Sequence, residues 1–139
     1  MPKRISPNEA FELMQQGYVY VDVRSEPEYA ASHPRGAVNI PLMHRGPAGM
    51  TPNPQFLEAF KRAFGPADKL ILGCAGGARA MRAAEMLERE GYGALFLQRA
   101  GHLGAKNEAG AVVEPGWEAC GLPCEAGAPP ERCWEAFKP

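Results

Sequence analysis

The chain has 139 residues, of which 45% are hydrophobic and 22% are charged, and its net charge at pH 7 is −1. This length fits one domain with a hydrophobic core, and the balanced, interspersed charges argue against a nucleic-acid-binding protein. No segment approaches the roughly 20 apolar residues that span a bilayer, and the basic residues 1–4 lead into a helix cap, so we expect no signal peptide, no membrane partner and a cytoplasmic location.

The first predicted elements are a helix, a strand and a second, short helix. Residues 6–9, Ser-Pro-Asn-Glu, combine an N-cap, a proline at the first helical position and the glutamate of a capping box, and Gly17 ends this helix. The alternating residues 18–23 predict a strand. Ser25 and Glu28 repeat the capping-box spacing and predict the start of the second helix.

Glycine and proline divide the next part of the chain into shorter elements. Residues 33–36 predict a turn, and residues 37–42 predict a short strand that Pro41 ends or places at a sheet edge. Residues 43–54 predict a loop. The helical spacing of the apolar residues within 53–65 then predicts a helix.

The second half of the chain again alternates strands with helices. Residues 69–72 predict a strand, residues 79–90 a helix with a small-residue face, and residues 94–97 a further strand. A Gly-rich loop at 101–116 precedes a predicted helical turn at 117–119. This alternation predicts an α/β fold: a mainly parallel central sheet of about five strands with helices on both faces.

The C-terminal part differs from this alternation. We expect the domain to span residues 1–124 and residues 125–139 to form a tail. The tail is rich in proline and contains Trp134 and Phe137, so it either docks back on the domain or remains mobile.

The segment around Cys74 carries the most functional information. Cys74 follows a predicted strand, and ligands of parallel α/β sheets bind at the carboxyl ends of strands. The backbone N–H groups of a Gly-rich turn and a helix start form an anion cradle, which, with the nearby Arg79, favours the nucleophilic thiolate. A merely buried cysteine does not need Gly76, Gly77 and Arg79 in this order.

At four places, in the right order, the chain resembles the rhodanese family of sulfurtransferases. Residues 74–79, CAGGAR, match the family's C-x-x-G-x-R loop. Residues 21–29, VDVRSEPEY, look like its first strand and turn, and residues 33–41, HPRGAVNIP, resemble its G-H-I-P-G-A-x-N-I-P segment. Residues 117–123, WEACGLP, resemble its closing W-x-x-x-G-x-P. The resemblance covers about residues 5–124 and implies the three-layer rhodanese-like fold.

The resemblance also implies a ping-pong reaction. Cys74 would take sulfane sulfur from thiosulfate, a persulfide or a polysulfide, hold it as a persulfide, and pass it to cyanide or a thiol. N–H groups of the surrounding loop would stabilise the persulfide charge. The residues expected in this loop are Ala75, Gly76, Gly77, Ala78, Arg79 and Ala80. A sulfur-carrier protein stays open as a further partner.

Three charged residues support the predicted site in ways that stay open. Arg79 either steadies an anionic donor or is tied into the loop by a carboxylate. Asp22 would hold neighbouring loops by hydrogen bonds, and Arg24 either pairs with a carboxylate or faces the donor; for both, a structural role is favoured. Many thiosulfate-using relatives carry arginine or lysine where this chain has Ala75. We therefore expect poor use of thiosulfate, and a persulfide or polysulfide donor on a carrier protein fits as well.

The remaining histidines and cysteines predict no metal site and no cofactor. His33, His44 and His102 share no metal-ligand spacing. For the cysteines at 120, 124 and 133, packing or exposed thiols are favoured over a zinc or redox site, and a resolving cysteine that reaches Cys74 stays open.

The Gly-rich loop that runs from Gly101 to Trp117 is longer than in typical single-domain relatives. We hypothesise that residues 102–116 form a flap or wall beside the Cys74 pocket.

Two other functional classes are compatible with the same fold. A non-enzymatic persulfide carrier or interaction module would load sulfur and release it only to a specific partner. An arsenate reductase or phosphatase is the second class. The short Cys74–Arg79 loop argues against it, because cysteine phosphatases enclose tetrahedral phosphate in a longer Cys-x5-Arg loop.

Overall fold

The computed structural model describes residues 2–139. Its helices are α1 (Pro7–Gln15), α2 (Glu26–Ala31), α3 (Phe56–Ala63), α4 (Ala78–Arg89) and α5 (Trp134–Phe137). Its strands are β1 (Lys3–Ile5), β2 (Val19–Asp22), β3 (His33–Pro34), β4 (Val38–Asn39), β5 (Met43–Gly46), β6 (Gly49–Pro52), β7 (Leu70–Gly73), β8 (Leu95–Gln98), β9 (Ala105–Lys106), β10 (Val112–Glu114) and β11 (Cys124–Glu125). None of the described helices is long and apolar enough to cross a membrane.

The central sheet has five parallel strands in the order β1-β8-β7-β2-β4. Successive strand residues point to opposite faces, so that Ile71 of β7 packs with α1, whereas Leu70 and Leu72 pack with α3 and α4. Strand β7 is apolar along its length because both faces of the sheet are covered. The predicted α/β fold, with a mainly parallel sheet and helices on both faces, is confirmed.

The two predicted capping boxes have different outcomes. At α1 the box forms: Glu9 N donates to Ser6 Oγ at 3.1 Å, and Ser6 N donates to Glu9 Oε1 at 2.9 Å. At α2 the helix begins where the spacing predicts, with Ser25 as N-cap, but the capping box does not form, because the buried Ser25 Oγ has no hydrogen-bond partner among the described residues. Glu28 instead pairs with Arg79, far along the chain.

Segments predicted as irregular contain short paired strands. Residues 43–54 include the antiparallel hairpin β5–β6, whose tight turn joins Gly46 to Gly49. The Gly-rich loop at 101–116 includes the antiparallel pair β9–β10, and the predicted turn at 33–36 begins with β3, which pairs with β11. These strands are too short to show a side-chain period, and β1 was not predicted for the same reason.

The tail packs against the domain. Arg132 Nη1 donates to Glu125 Oε1, which also accepts from Gly36 N at 3.2 Å. The Arg132 hydrogen bond is the main reason that the pKa of Glu125 is lowered to about 2. Trp134 is buried in the core beside α3, so of the two alternatives for this segment, the structure has the docked one.

Candidate active site

Cys74 lies directly after β7, at the carboxyl end of the central sheet, and its side chain is nearly buried, with 2% of the residue exposed. The preceding residue must be glycine because the Tyr20 hydroxyl occupies the space that a Cβ at Gly73 would need. Sγ faces the N-terminus of α4: Gly77 N donates to it at 3.0 Å and Ala80 N at 3.4 Å. A helix N-terminus with two converging donors suits an anionic sulfur.

Residues 74–80, which we call the active-site loop, depend on a left-handed glycine. Gly77 has φ +106°, and a Cβ there would lie 2.6 Å from Arg99 O. This conformation turns the chain from the strand into α4 and aims the Gly77 N–H at the sulfur. Of the expected donors within this described loop, Gly77 and Ala80 reach Sγ, whereas the remaining members serve as cavity wall.

A cavity of about 310 Å³ opens beside Cys74. One side of it is the active-site loop, and the other is residues 102–116, which we call the hairpin segment. The cavity is lined by Cys74, Ala75, Gly76, Ala78, Arg79, Leu103, Gly104 and Lys106. The structure therefore places the start of the hairpin segment in the wall of the Cys74 cavity.

The base of the hairpin segment is joined to the active-site loop by main-chain hydrogen bonds. His102 N donates to Cys74 O at 2.7 Å, and Leu103 N donates to Ala75 O at 3.0 Å. This approach requires Gly101, since a Cβ there would collide with the carbonyl groups of Cys74 and Ala75. These contacts therefore fix the position of the start of the hairpin segment relative to Cys74 Sγ.

Arg79 is held by a carboxylate. Its Nη1 and Nη2 atoms donate to Glu28 Oε1 and Oε2 at 3.1 and 2.9 Å, and the two side chains are 18% and 19% exposed. The fork geometry fixes the guanidinium against α2. Of the two roles left open for Arg79, this geometry favours the one that ties the loop in place.

Asp22 and Arg24 form a buried pair behind the site. Arg24 Nη2 donates to Asp22 Oδ2 at 2.8 Å and to Ser32 O at 2.6 Å, while Asn39 Nδ2 donates to Asp22 O at 2.9 Å. Burial works against the charge of Arg24, but Asp22 more than offsets it, so the pKa of Arg24 is raised. Neither residue lines the Cys74 cavity; they join the end of β2 to its neighbouring loops.

His102, to which the sequence analysis assigns no metal, is buried. Its Nε2 lies 3.0 Å from Ser32 Oγ and 3.2 Å from Glu118 Oε2. Burial, and next the charge of Arg24, lower the pKa of His102. The ligand atoms of His102, Glu118 and Cys124 lie within 4.8 Å of one another. Only tertiary structure joins these residues, so their sequence spacing carries no signal.

All four cysteines are free thiols. Cys133 is buried in the core, and Cys120 and Cys124 are half-buried. Among the described residues, Cys74 is the cysteine that lines the cavity.

Comparison with known proteins gives consistent matches. A family model described as a rhodanese-like domain matches residues 6–108. Thiosulfate sulfurtransferase 16, a chloroplastic protein of Arabidopsis thaliana, is 36% identical over 126 residues, which cover 91% of this chain and 95% of that protein. Thiosulfate sulfurtransferase GlpE of Haemophilus influenzae is 32% identical over 94 residues, covering 68% of this chain and 78% of GlpE. Some other plant relatives are matched over about half of their length.

A solved structure is also similar. The crystal structure of Rv0390 from M. tuberculosis superimposes with a TM-score of 0.73 at 28% sequence identity, covering 90% of this chain and 98% of that one. On the family match, the close relatives and this shared architecture, the chain belongs to the rhodanese family.

Proposed function

We propose that this protein is a sulfurtransferase that carries sulfane sulfur as a persulfide on Cys74. The observation that supports this most is the setting of one atom: Sγ accepts hydrogen bonds from Gly77 N and Ala80 N at the edge of an open cavity. A buried cysteine that served packing alone would not need donors or an opening.

The first half-reaction loads the cysteine. The Cys74 thiolate attacks the outer sulfur of the donor; with thiosulfate, a new S–S bond forms, the donor's S–S bond breaks, and sulfite leaves with the electron pair. The product is a persulfide whose negative charge lies on the outer sulfur. The Gly77 and Ala80 N–H groups already donate to Sγ, so they stabilise the attacking thiolate without reorganisation, and the N-terminus of α4 favours a negative charge on the sulfur bonded to it.

The second half-reaction unloads it. Cyanide or a thiolate attacks the outer sulfur, and the bond to Sγ breaks with its electron pair returning to Cys74. The product is thiocyanate or a new persulfide, and the thiolate is regenerated. Thiosulfate is supported as donor by the names of the relatives, and a persulfide or polysulfide donor would follow the same steps.

Mass spectrometry of the purified protein tests the proposal. Treatment with thiosulfate should add the mass of one sulfur atom at Cys74, and cyanide should remove it with release of thiocyanate. Cys74→Ser should abolish both events, whereas Cys120→Ser, a matched change of a half-buried thiol that does not line the cavity, should preserve them. Thiocyanate production by Cys74→Ser would contradict the proposal.

A persulfide carrier is a second candidate, favoured by exposed apolar residues of the hairpin segment. Leu103, which lines the cavity, is 56% exposed, and Val112 and Val113 of the same segment are exposed by 53% and 64%. Exposed apolar side chains in this segment suit a protein that brings its own cysteine to Cys74. A carrier would give a stable persulfide with feeble thiocyanate turnover, so the ratio of loading to turnover separates the carrier from the sulfurtransferase.

A phosphatase is tested with a chromogenic phosphate ester. It should give no product, since the Cys74–Arg79 loop is short for phosphate.

A further inference from the structure

An anionic sulfur donor creates an electrostatic problem at Cys74. The attacking thiolate carries one negative charge and thiosulfate carries two, so the reactants repel each other unless a cation lies near both. Sulfite then leaves as a dianion. The N–H groups of Gly77 and Ala80 face the cysteine sulfur, so these two donors do not serve the far end of the sulfur donor.

The arginines closest to the site do not supply this charge. Arg79 lines the cavity, but Glu28 neutralises it through a bidentate pair. Arg24 is buried against Asp22. A paired guanidinium has little net field at the cavity, because the carboxylate cancels most of it.

Lys106 is the remaining basic residue in the cavity wall. It is exposed, it lies on β9, and within residues 2–139 its ammonium group forms no ion pair. Lys106 also borders a neighbouring cavity of about 320 Å³, which lies against Gly76 and Arg4. Open space therefore lies on two sides of this side chain, and a strongly hydrated ammonium group can reach into the Cys74 cavity without burial.

The position of Lys106 relative to Cys74 is built into the fold. Two main-chain hydrogen bonds join His102 and Leu103 to the carbonyls of the active-site loop. At the other end of the hairpin segment, Arg99 Nε and Nη2 donate to Glu114 Oε1 and Oε2, each at 2.9 Å. Lys106 lies between these two attachments, so its backbone is held against the cavity.

We propose that Lys106 is the specificity-determining cation of this site and binds the anionic end of the sulfur donor. The inference rests on the proposed sulfurtransferase function and assigns the residue that recognises the charge of an anionic donor such as thiosulfate. The charge that Ala75 does not provide within the loop comes instead from the hairpin segment. Efficient thiosulfate use is the consequence, contrary to the expectation from the neutral residue at position 75.

The test compares two donors of different charge. Steady-state kinetics with cyanide as acceptor are measured for the wild type, Lys106→Gln and Lys106→Arg, with thiosulfate as dianion and benzenethiosulfonate as monoanion. One contact of this kind near a protein surface changes binding by about tenfold, so Lys106→Gln should lower kcat/KM about tenfold for thiosulfate. The monoanion feels half the attraction and should lose about threefold. Lys106→Arg should keep most of the activity with both donors.

Arg4→Gln is the matched control. Arg4 is also an exposed cation, but it borders the neighbouring cavity and not the Cys74 cavity, so kcat/KM should stay within about twofold for both donors. Thermal unfolding confirms that each variant is folded.

The outcomes separate the two proposals. An unchanged kcat/KM in Lys106→Gln, or equal losses in Lys106→Gln and Arg4→Gln, overturns the inference and leaves the role of Cys74 intact. Equal losses for the two donors also overturn it, because the effect would then not follow donor charge. Sulfur transfer by Cys74→Ser overturns the proposed function itself, whatever the result at Lys106.

Discussion

The two walls of the Cys74 cavity are built in opposite ways. In the active-site loop, Cys74 and Ala80 are buried, and the main chain does the work by aiming N–H groups at one atom. In the hairpin segment, the cavity is lined by Gly104 and by the exposed side chains of Leu103 and Lys106. Main-chain geometry tolerates few substitutions, whereas exposed side chains change freely. The comparison suggests that the loop provides the chemistry and the hairpin segment provides the recognition.

The largest difference is expected at a pair of left-handed glycines, one in each wall. Gly77→Ala places a Cβ 2.6 Å from Arg99 O and moves a donor away from the sulfur; kcat should fall about 100-fold. Gly110 has φ +81° with nothing near its missing Cβ, so Gly110→Ala should cost about 1 kcal/mol of unfolding free energy and leave kcat unchanged. Kinetics are measured at a temperature where circular dichroism shows both variants folded. Equal kcat values would remove the assigned role of the Gly77 N–H.

The second difference concerns two similar arginine–glutamate pairs. Glu28→Gln breaks the link between Arg79 and α2 and loosens the active-site loop, so kcat at saturating donor should fall about tenfold for every donor. Arg79→Gln should have the same effect, and the double variant should lose no more, because the two residues act as one unit. A donor-dependent loss, or a further loss in the double variant, would instead mean that Arg79 contacts the donor.

The matching change in the other wall should be smaller and selective. Glu114→Gln breaks the pair with Arg99, whose side chains are 29% and 34% exposed, and such pairs contribute about 1 kcal/mol or less. The hairpin segment then holds Lys106 less firmly, and kcat/KM should fall about threefold for thiosulfate while kcat stays unchanged. A loss in kcat would show that the hairpin segment also takes part in the chemistry.

The smallest effect is expected at the two exposed valines of β10. Val112→Ser and Val113→Ser remove apolar side chains that are more than half exposed, so the unfolding free energy should change by about 0.5 kcal/mol or less. Thiocyanate formation from small donors should stay within about twofold. If it falls further, these side chains contact the small donor, and the carrier candidate loses the observation that favours it.

The same contrast explains how far the sequence predicts this molecule. The active-site loop can be predicted because its strand, its glycines and its helix start follow one another in the sequence. The two residues of the buried Asp22–Arg24 pair are likewise only two positions apart. The partner of Glu28 is Arg79, and no local pattern brings them together; the capping-box spacing pointed to Ser25 instead. Likewise, the burial of His102 and the position of Lys106 depend on how the hairpin segment meets the active-site loop. Secondary-structure propensity predicts the conformation of single segments, whereas the surroundings of these residues are set by contacts between segments that lie far apart in the chain.

The place of β1 in the sheet has a consequence for synthesis of the protein. Lys3 pairs with Phe96, and Ile5 pairs with Gln98. Of the strands of the central sheet, β1 is therefore synthesised before the others but can pair only after β8, the last of them, has been made. Closing so wide a separation is slow compared with local pairing. Until then β8 is an open sheet edge, and such edges attract other chains. Trimming residues 3–5 would leave the four-residue β8 as the edge in place of the three-residue β1, and a longer open edge pairs more readily with other chains.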